Sequence, residues 1–343
     1  MEARKKLRCV VIGFGYWGPH LVRNIRNCED IELVAIADRE ESRRNKAFEI
    51  YPKVEITESV DLALSLGSID IAVIATPAAS HFDIAMKCLN AGCHLLVEKP
   101  LSTSYQKANT LVVEAEKRGL TLMVDHTFLY SSAVDRMRKL VKTGELGALV
   151  YFDSQRVNLG LFQPDVNVLW DLAVHDLSIL FDLVDEMPIS VSAIGGAHKN
   201  SNFEAAMFLT LKYSSNFFAH INVSWLSPMK IRRTVLSGSS KTVLFDDMES
   251  DARIKVFDAG VDEINLDENA LLNYRLGDVQ IPRLQQTEPL KEEINHFVSC
   301  IKNNEEPLSS GRRSLPIIKV LESATLSSSL AGQSVDIDWG KKP

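Results

Sequence analysis

The sequence has no apolar run long enough to cross a bilayer, which requires about 20 consecutive apolar residues. A charged residue, a glycine or a proline interrupts each strongly apolar stretch of the 343-residue chain. The basic start MEARKKLR leads into CVVIGFGYWG, a short run broken by glycines and without a small-residue cleavage site. We therefore expect no membrane span and no secretory signal, and we expect a cytoplasmic protein.

Cysteine and clustered positive charge are also scarce. The five cysteines are an odd number and form no C-x-x-C pair, so reduced thiols are expected. The formal net charge is −7, and no basic patch follows the one at the N-terminus. This charge distribution argues against nucleic acid as a partner. The lack of a G-x-S-x-G elbow argues against a serine hydrolase.

Residues 1–125 alternate short β-branched runs with segments of helical period, the pattern of a parallel sheet covered by helices on both faces. The predicted strands are LRCVVIG, IELVAIAD, IDIAVIAT, CHLLVEKP and LTLMVD, with a weaker one at KVEIT. The fold class predicted from this pattern is α/β, with a doubly wound parallel sheet as the first domain.

A different pattern begins near Leu149. MFLTLKYSSNFFAHINVSW alternates apolar and polar positions on both sides of a turn at Ser214 to Asn216, which predicts an antiparallel hairpin. The same alternation on both sides of a turn occurs around Gly238, in RRTVLSGSSKTVLFDD. Helical patterns return in PLKEEINHFVSCIKN and RRSLPIIKVLESATLSSSLAG. We predict a second, α+β domain over residues 126–343 with a large, mostly antiparallel open sheet, and C-terminal helices that could pack back on the first domain.

The first predicted strand runs into Gly13-Phe14-Gly15-Tyr16-Trp17-Gly18, a G-x-G-x-x-G sequence between a strand and a helix. Gly13 would make the tight turn, Gly15 would let backbone approach a pyrophosphate, and Gly18 would let the helix pack closely. Asp38 ends the next strand, where a carboxylate can accept both hydroxyls of an adenine ribose. These residues predict a dinucleotide-binding domain.

The choice between NAD and NADP depends on Asp38 and its neighbours. The Asp38 carboxylate would repel a 2′-phosphate, which favours NAD. Arg39, Arg43 and Arg44 keep NADP open, because a guanidinium could hold that phosphate or stack on the adenine. The predicted cofactor is NAD, with NADP as the alternative.

The carboxyl ends of the other predicted strands should line the same cleft, because ligands of open parallel sheets bind there. These ends read Thr76-Pro77 with His81 following, Glu98-Lys99-Pro100, and Asp125-His126. Lys99 follows an apolar run directly and lies beside Glu98, which makes it a candidate functional amine. Taken alone, Lys99 is better explained as a surface lysine at a strand end.

Four motifs occur in a characteristic order: G-x-G-x-x-G near the N-terminus, A-T-P-x-x-x-H at Ala75 to His81, EKP at Glu98 to Pro100, and D-x-x-x-H at Asp171 to His175. Together they resemble the glucose-fructose oxidoreductase, inositol dehydrogenase and rhizopine catabolism family, usually written Gfo/Idh/MocA. The resemblance implies a Rossmann domain joined to an α/β domain whose sheet often forms dimer or tetramer contacts. It also implies hydride transfer between nicotinamide and a hydroxyl-bearing carbon of a sugar, cyclitol or sugar derivative.

The resemblance assigns roles to single residues. It makes Lys99 the catalytic lysine, His175 the acid/base partner and Asp171 the carboxylate beside it. It implies that Glu98 contacts the nicotinamide ribose and that the Lys99 to Pro100 peptide is cis. The expected cofactor contacts are Gly13, Gly15, Tyr16, Trp17, Gly18, Asp38, Arg39, Thr76, Pro77, His81, Glu98, Lys99 and His126.

The stretch QRVNLGLFQPDVNVLWDLAVHD is most similar to family members that act on nucleotide-linked sugars, including 3-dehydrogenases and 3-ketoreductases. The sequence departs from the commonest family pattern D-x-G-x-H-x-x-D at two positions. Ala173 replaces the glycine and Ser178 replaces the second carboxylate. Substrate contacts inferred from that common pattern do not transfer to these two positions.

Written as a helix, Trp170 to Val184 places Asp171, His175, Ser178 and Asp182 in one polar column on an otherwise apolar surface. We expect this column to face a cavity and the Asp171 and His175 pair to lie opposite Lys99. The alternatives are a solvated stripe, or a core histidine satisfied by Asp171.

The predicted chemistry follows from these groups. A histidine titrates near neutral pH, and a carboxylate one turn away orients its ring and supports its charged form. An ammonium at Lys99 can hydrogen-bond the oxygen whose charge grows in the transition state. Either Lys99 or His175 could take the proton first. No metal is predicted, because Asp171 and His175 have no third ligand at a comparable spacing.

The polar segment before this helix is expected to bind substrate. The predicted substrate contacts are Arg156, Asn158, Gln163 and Asn167, together with Lys99, Asp171 and His175. Taken singly, each of the four loop residues is better explained by a hydrogen bond to backbone.

The leading expectation is an NAD(P)-dependent dehydrogenase or reductase acting on a CH–OH group of a sugar or nucleotide-linked sugar. The alternatives are an inositol or free-sugar dehydrogenase, and a catalytically silent nicotinamide-binding regulator. A wide open sheet needs its exposed face covered, so a homodimer or homotetramer through the C-terminal sheet is also expected.

Overall fold

The computed structural model describes residues 6–163, 165–198, 203–266 and 269–340. The chain forms two compact units, one of Met1–Tyr130 with Thr287–Ile318 and one of Ser131–Gln286 with Lys319–Pro343. The predicted division lies at residue 125. In the structure the first unit also includes the segment Thr287–Ile318.

The sheet of the first unit contains six parallel strands in the order β3-β2-β1-β4-β5-β6. The strands are β1 (Leu7–Ile12), β2 (Ile31–Ala37), β3 (Glu55–Thr57), β4 (Ile71–Ile74), β5 (His94–Glu98) and β6 (Leu122–Asp125). The central strands are buried on both faces, which explains their continuous apolar runs. The predicted doubly wound sheet is confirmed.

Five helices connect these strands: α1 (Gly18–Asn27), α2 (Glu41–Ile50), α3 (Val60–Leu64), α4 (His81–Asn90) and α5 (Tyr105–Lys117). Serines begin two of them, since Ser59 accepts the Leu62 N–H and Ser104 accepts the Lys107 N–H. In α1, Leu21, Val22 and Ile25 form the apolar face that is buried against the sheet.

The second unit contains a nine-stranded sheet in the order β14-β13-β12-β11-β7-β10-β9-β8-β15. Its strands are β7 (Leu149–Leu159), β8 (Ser190–Ala197), β9 (Glu204–Lys212), β10 (Phe218–Ser224), β11 (Leu226–Gly238), β12 (Thr242–Asp246), β13 (Ile254–Leu266), β14 (Asn269–Gln280) and β15 (Val335–Asp336). Within the described part of this sheet, β7 and β10 are the one parallel pair. The predicted β9–β10 and β11–β12 hairpins are confirmed.

Two helices of the second unit are α6 (Ser132–Lys142) and α7 (Val174–Leu183). A π-helical turn, Leu169–Ala173, comes directly before α7. The helix predicted to begin at Trp170 therefore has π-helical geometry up to Ala173 and α-helical geometry from Val174 onward. This matters because π-helical turns inside helices often occur at functional sites.

The last helices are α8 (Pro289–Asn303) and α9 (Gly311–Ser329). Helix α8 ends at Asn304, which has the left-handed conformation common after a helix. Leu290, Ile294, Phe297 and Val298 lie on one face of α8 and are buried in the core of the first unit. This apolar face explains why a segment so late in the chain belongs to that unit.

None of the helices in the described ranges is long and apolar enough to span a membrane.

Phe297→Ala should lower the free energy of unfolding of the first unit by about 3–5 kcal/mol, because it leaves a cavity in that core. Phe297→Leu keeps most of the side-chain volume and should cost less. Urea denaturation of the full chain, followed by circular dichroism, measures both effects. A Phe297→Ala protein as stable as wild type would contradict the placement of α8 in this core.

Candidate active site

The glycine-rich turn follows β1 and leads into α1. Gly13 has φ of 99°, and a Cβ placed on it would lie 2.5 Å from the Ala75 carbonyl oxygen. A Cβ on Gly18 would lie 2.5 Å from the Gly13 carbonyl oxygen. A Cβ on Gly15 would meet only the Arg43 guanidinium, at 3.4 Å. The turn thus requires glycine at both ends and leaves bare backbone at Gly15, which fits the cradle that a dinucleotide pyrophosphate needs.

Asp38 follows β2 and is buried at 6% exposure. Its Oδ2 accepts the Phe14 backbone N–H at 2.7 Å, and its Oδ1 accepts the Glu40 N–H at 2.9 Å. Arg43 lies beside it, with Nη1 at 3.8 Å from Asp38 Oδ2 and Nε at 3.0 Å from Glu40. The carboxylate therefore fixes the glycine-rich turn, in addition to the ribose contact predicted for it.

Four other predicted cofactor residues lie on the surface or in local contacts. Tyr16 is 81% exposed. Arg39 is exposed, and its carbonyl accepts a hydrogen bond from Arg44. Thr76 Oγ1 accepts the Ser80 hydroxyl, and Pro77 precedes a short 3₁₀ turn at Ala78–Ser80.

The structure gives His81 a bracing role. Its ring is buried, with Nδ1 at 2.9 Å from the Pro100 carbonyl oxygen and Nε2 at 2.8 Å from the Thr76 carbonyl oxygen. Both nitrogens thus face backbone carbonyls. His81 joins the turn after β4 to the turn after β5, which differs from the cofactor contact predicted for it. The Lys99 to Pro100 peptide is cis, as predicted.

Glu98 and Asp125 end neighbouring strands and are paired in register. Paired residues of parallel strands project from the same face, so the two carboxyls are neighbours. Burial raises the pKa of Glu98 well above its ordinary value, and the nearby Asp125 raises it further. Asp125 is buried and accepts the Trp17 indole N–H at Oδ2, 2.9 Å away, and the Thr127 hydroxyl at Oδ1.

His126, predicted to contact the cofactor, is buried at 2% exposure. Its Nε2 lies 3.1 Å from the Ser314 hydroxyl, which itself donates to the Ser310 carbonyl. Nε2 must therefore carry the proton in this pair. Burial lowers the pKa of His126 to about 4, so the ring is neutral at neutral pH. These contacts give His126 a structural role.

In the second unit, the π-helical turn carries Asp171. Asp171 Oδ2 accepts the indole N–H of Trp225 at 3.0 Å, and Trp225 is buried at 1% exposure. Asn167 accepts the Trp170 N–H and donates to Glu204 Oε2 at 2.9 Å, so it caps the turn. Its predicted substrate role is not supported by these contacts. The Asp171 carboxylate is thus held in one orientation, one turn before His175.

The structure also gives Arg156 a different role from the predicted substrate contact. Its Nε and Nη2 donate to the two oxygens of Asp176 at 2.9 and 3.0 Å, and both side chains are at least 95% buried. Ser154 donates a further hydrogen bond to Asp176 at 2.7 Å. This bidentate pair ties β7 to α7, because an arginine buried beside a carboxylate is held by two hydrogen bonds of fixed geometry.

The last two residues of the predicted polar column, Ser178 and Asp182, also have partners within the protein. Asp182 binds Arg138 of α6 at 2.8 Å, and Ser178 donates to the His175 carbonyl at 2.7 Å. Both residues are buried. The column expected to face a cavity therefore ends at His175.

Asn158 and Gln163 are partly exposed, and Asn158 lies beside Gly160 and the Trp225 ring. The Phe162 ring packs on Trp225 with centroids 5.3 Å apart. Within the described residues, no group of three or more His, Cys, Asp or Glu side chains is arranged to hold a metal ion.

Two residues absent from the predicted site act on it directly. Trp225 orients Asp171, and Asp125 binds Trp17 of the glycine-rich turn. A sequence signal existed for both indoles, since a buried tryptophan N–H needs an acceptor. The sequence alone does not say which acceptor it finds.

Comparison with known proteins agrees with this geometry. Residues 7–126 match the profile described as "Oxidoreductase family, NAD-binding Rossmann fold", and residues 134–244 match the "GFO/IDH/MocA C-terminal domain". The first unit therefore defines a protein of the NAD-binding Rossmann class. Because the two profiles together cover more than half of its length, the chain belongs to the Gfo/Idh/MocA family.

Individual relatives are distant. A 2,7-anhydro-N-acetylneuraminate hydratase of Escherichia coli is 24% identical over 262 residues, which cover 72% of this chain and 69% of that protein. A UDP-N-acetylglucosamine 3-dehydrogenase of Acidithiobacillus ferrooxidans is 28% identical over 194 residues, covering 56% of this chain and 58% of that protein. The second alignment thus spans less than two thirds of the relative.

Solved structures share the fold over almost the whole chain. The Acidithiobacillus ferrooxidans enzyme superposes with a TM-score of 0.79 at 21% identity, covering 95% of this chain and 98% of that one. An oxidoreductase of Agrobacterium radiobacter in complex with NAD+, L-tartaric acid and magnesium gives a TM-score of 0.81 at 16% identity, covering 97% and 99%.

Asp176→Ala should lower the free energy of unfolding by about 3–5 kcal/mol, because it leaves the buried Arg156 guanidinium without its partner. The double variant Arg156→Met, Asp176→Leu should recover most of that loss, since two apolar side chains can fill the space. Asp153→Ala is the matched control, because Asp153 is an exposed residue of β7, the strand that also contains Arg156. Chemical denaturation measures all four proteins, and wild-type stability of Asp176→Ala would show that the pair is not structural.

Proposed function

We propose that the protein is an NAD-dependent oxidoreductase that interconverts a secondary hydroxyl and a ketone on a sugar, with a nucleotide-linked sugar as the substrate class. The observation that carries this proposal is the glycine-rich turn fixed by Asp38, in a chain that also keeps Lys99, Asp171 and His175. A protein that only senses a dinucleotide has no need of the last three side chains together.

The proposed cofactor site uses residues of the first unit. The backbone at Gly13 to Gly18 and the start of α1 would hold the pyrophosphate, because the N–H groups and the helix dipole favour an anion there. The remaining lone pairs of Asp38 would accept the adenine ribose hydroxyls. When bound, the nicotinamide supplies the acceptor or donor of a hydride.

The proposed proton chemistry belongs to Lys99 and His175. The Lys99 ammonium would stabilise negative charge on the substrate oxygen, and His175 would take or return the hydroxyl proton. Trp225 keeps the Asp171 carboxylate in place, one helical turn before His175.

The substrate class is supported by the segment around the π-helical turn. Asn158 and Gln163 retain partial exposure, and the Phe162 and Trp225 rings pack together beside them. Polar side chains beside aromatic faces suit a sugar, whose ring has polar edges and apolar faces. The distant relative that acts as a UDP-N-acetylglucosamine 3-dehydrogenase supports the nucleotide-linked form.

Lys99→Ala should lower kcat by about 10²–10⁴-fold, the usual contribution of one acid/base or electrostatic group. The affinity for NADH should stay nearly unchanged. The measurement is the absorbance of reduced cofactor with NAD and a panel of sugars, cyclitols, and UDP- and dTDP-sugars. Lys117→Ala, a change of an exposed lysine in the same unit, is the control. Tight cofactor binding without turnover of any panel member would favour the regulator and contradict the enzyme.

The same assay tests the proposed preference for NAD. Asp38 should make kcat/KM for NAD at least about tenfold higher than for NADP, because a 2′-phosphate beside a buried carboxylate is repelled. Asp38→Ser should reduce this ratio, with Arg43 then free to bind the phosphate. A higher kcat/KM with NADP in the wild type would contradict this part of the proposal.

The proposal extends to a homodimer or homotetramer formed through the second sheet. One face of this sheet exposes apolar side chains on adjacent strands: Ile194 at 60%, Phe208 at 50% and Phe218 at 47% exposure. Ile194 and Phe208 are paired in register, and Phe218 stacks on Tyr151 with centroids 5.9 Å apart. Exposed apolar side chains on adjacent strands of one sheet face are typical of subunit contacts.

Phe208→Asp combined with Ile194→Asp should convert the oligomer to monomer, because each carboxylate would lose its water in the contact. Sedimentation velocity measures the mass of both forms. Phe48→Asp, which changes a residue 59% exposed in the first unit, should leave the mass unchanged. A monomeric wild type would contradict the assembly.

A further inference from the structure

Three carboxyl groups meet at the edge of the first sheet, and the mechanism proposed above uses none of them. Glu98 and Asp125 end β5 and β6, and Glu293 comes from α8. Glu293 has 0% exposure, and among the described residues no hydrogen-bond donor reaches either of its carboxyl oxygens. A carboxylate in this position would be left without water and without a donor, which is costly.

Asp125 accepts two of the donors in the cluster, and Glu98 Oε2 accepts the Lys99 backbone N–H at 3.0 Å. Trp17 donates its indole N–H to Oδ2, and Thr127 donates its hydroxyl to Oδ1. The Thr127 hydroxyl has one proton, which it donates to Asp125, and it also contacts Glu293. Hydrogen bonds of this kind stabilise the charged form of the group that accepts them.

The geometry points to Asp125 as a positioning residue for the dinucleotide turn: its Oδ2 accepts the Trp17 indole N–H, while Glu293, buried beside it without water, keeps its proton. Trp17 is the residue directly before Gly18 and α1, so its indole fixes the side of the turn opposite Phe14. The inference rests on the proposed binding of a nicotinamide dinucleotide at that turn.

The pKa shifts are consistent with this distribution of protons. Burial raises the pKa of Glu293 well above its ordinary value, and Asp125 and then Glu98 raise it further. Burial and then Asp125 raise the pKa of Glu98, against a smaller opposite effect of Lys99. Glu98 is partly exposed to solvent, whereas Glu293 is not exposed at all. The argument for a protonated carboxyl therefore applies to Glu293.

The other ionisable groups around the cluster leave this picture unchanged. The His126 ring is neutral at neutral pH, because burial lowers its pKa to about 4. Tyr130 faces Glu293, and burial with that carboxyl raises the pKa of Tyr130 above its ordinary value. His20 packs on the Trp17 ring, with centroids 5.1 Å apart. Lys99 is the cation that acts on Glu98.

The inference predicts that amide substitutions at Asp125 and at Glu293 have different effects on the affinity for NADH. Glu293→Gln replaces a protonated carboxyl with a group of the same shape that can still donate to Asp125. It should leave the NADH affinity within about twofold of wild type. Asp125→Asn removes the charge that holds Trp17 and should weaken NADH binding by at least about tenfold.

A double-variant cycle tests the link between Asp125 and the turn. Trp17→Phe should weaken NADH binding about as much as Asp125→Asn does, and the two changes together should cost little more than either one, because both act on the same hydrogen bond between Trp17 and Asp125. Asp61→Asn, an exposed change in the same unit, is the matched control. Fluorescence titration with NADH measures every dissociation constant. Additive losses, or unchanged binding in Asp125→Asn, would overturn the inference.

A second readout needs no cofactor. Glu293 in the folded chain keeps its proton to a higher pH than it does in the unfolded chain, so unfolding releases a proton above the ordinary glutamate pKa, near 4.3. The stability of the wild type therefore falls as pH rises through that window. Glutamine cannot release a proton, so the melting temperature of Glu293→Gln should rise relative to wild type between about pH 5 and about pH 8.

The two readouts separate the possible failures. If the wild type binds no NADH but the melting curves diverge with pH, the proposed function fails and the proton distribution stands. If the melting difference stays constant with pH, Glu293 is ionised in the folded protein and the inference is overturned. If Asp125→Asn does not fold, Trp17→Phe and Glu293→Gln still decide the question.

Discussion

Hydrogen bonds from the glycine-rich turn to two buried carboxylates are the interactions on which the first unit's chemistry depends. Asp38, at the end of β2, accepts the Phe14 N–H, and Asp125, at the end of β6, accepts the Trp17 indole N–H. The turn is therefore fixed from both sides of β1 by negative groups with little access to water. A turn held in this way presents its remaining N–H groups to an anionic ligand without further ordering, which is what tight dinucleotide binding requires.

The second unit applies the same principle to α7 and the π-helical turn before it. Asp176 pairs with Arg156 of β7, Asp182 pairs with Arg138 of α6, and Trp225 binds Asp171. Each pair joins the helical segment to a different part of the unit. His175 lies between these anchors, so its position is set by buried partners on both sides in the sequence. That rigidity is the property a proton-transferring side chain needs.

Local sequence patterns predicted the strands of the first sheet, two hairpins of the second sheet and the last two helices, because the period of apolar residues is a short-range property. The β1 strand, the glycine turn and the bounds of α8 all follow from such patterns. The partners of the buried charges could not be predicted from these patterns. An arginine such as Arg156 has the same sequence context whether it binds a substrate or pairs with Asp176. The π-helical turn at Leu169–Ala173 was missed for a related reason, because it depends on Asn167 and Trp225 and not on the apolar period. His81 was predicted to contact the cofactor. In the structure its two ring nitrogens lie at hydrogen-bonding distance from two backbone carbonyl oxygens.

The most direct test of this account is a crystal structure of the protein grown with NADH. We expect the pyrophosphate at the backbone N–H groups of the Gly13 to Gly18 turn, the adenine ribose hydroxyls on Asp38, and the Trp17 to Asp125 hydrogen bond intact. A dinucleotide bound elsewhere on the chain, or a turn that is displaced from Asp38 and Asp125 when the dinucleotide binds, would contradict it.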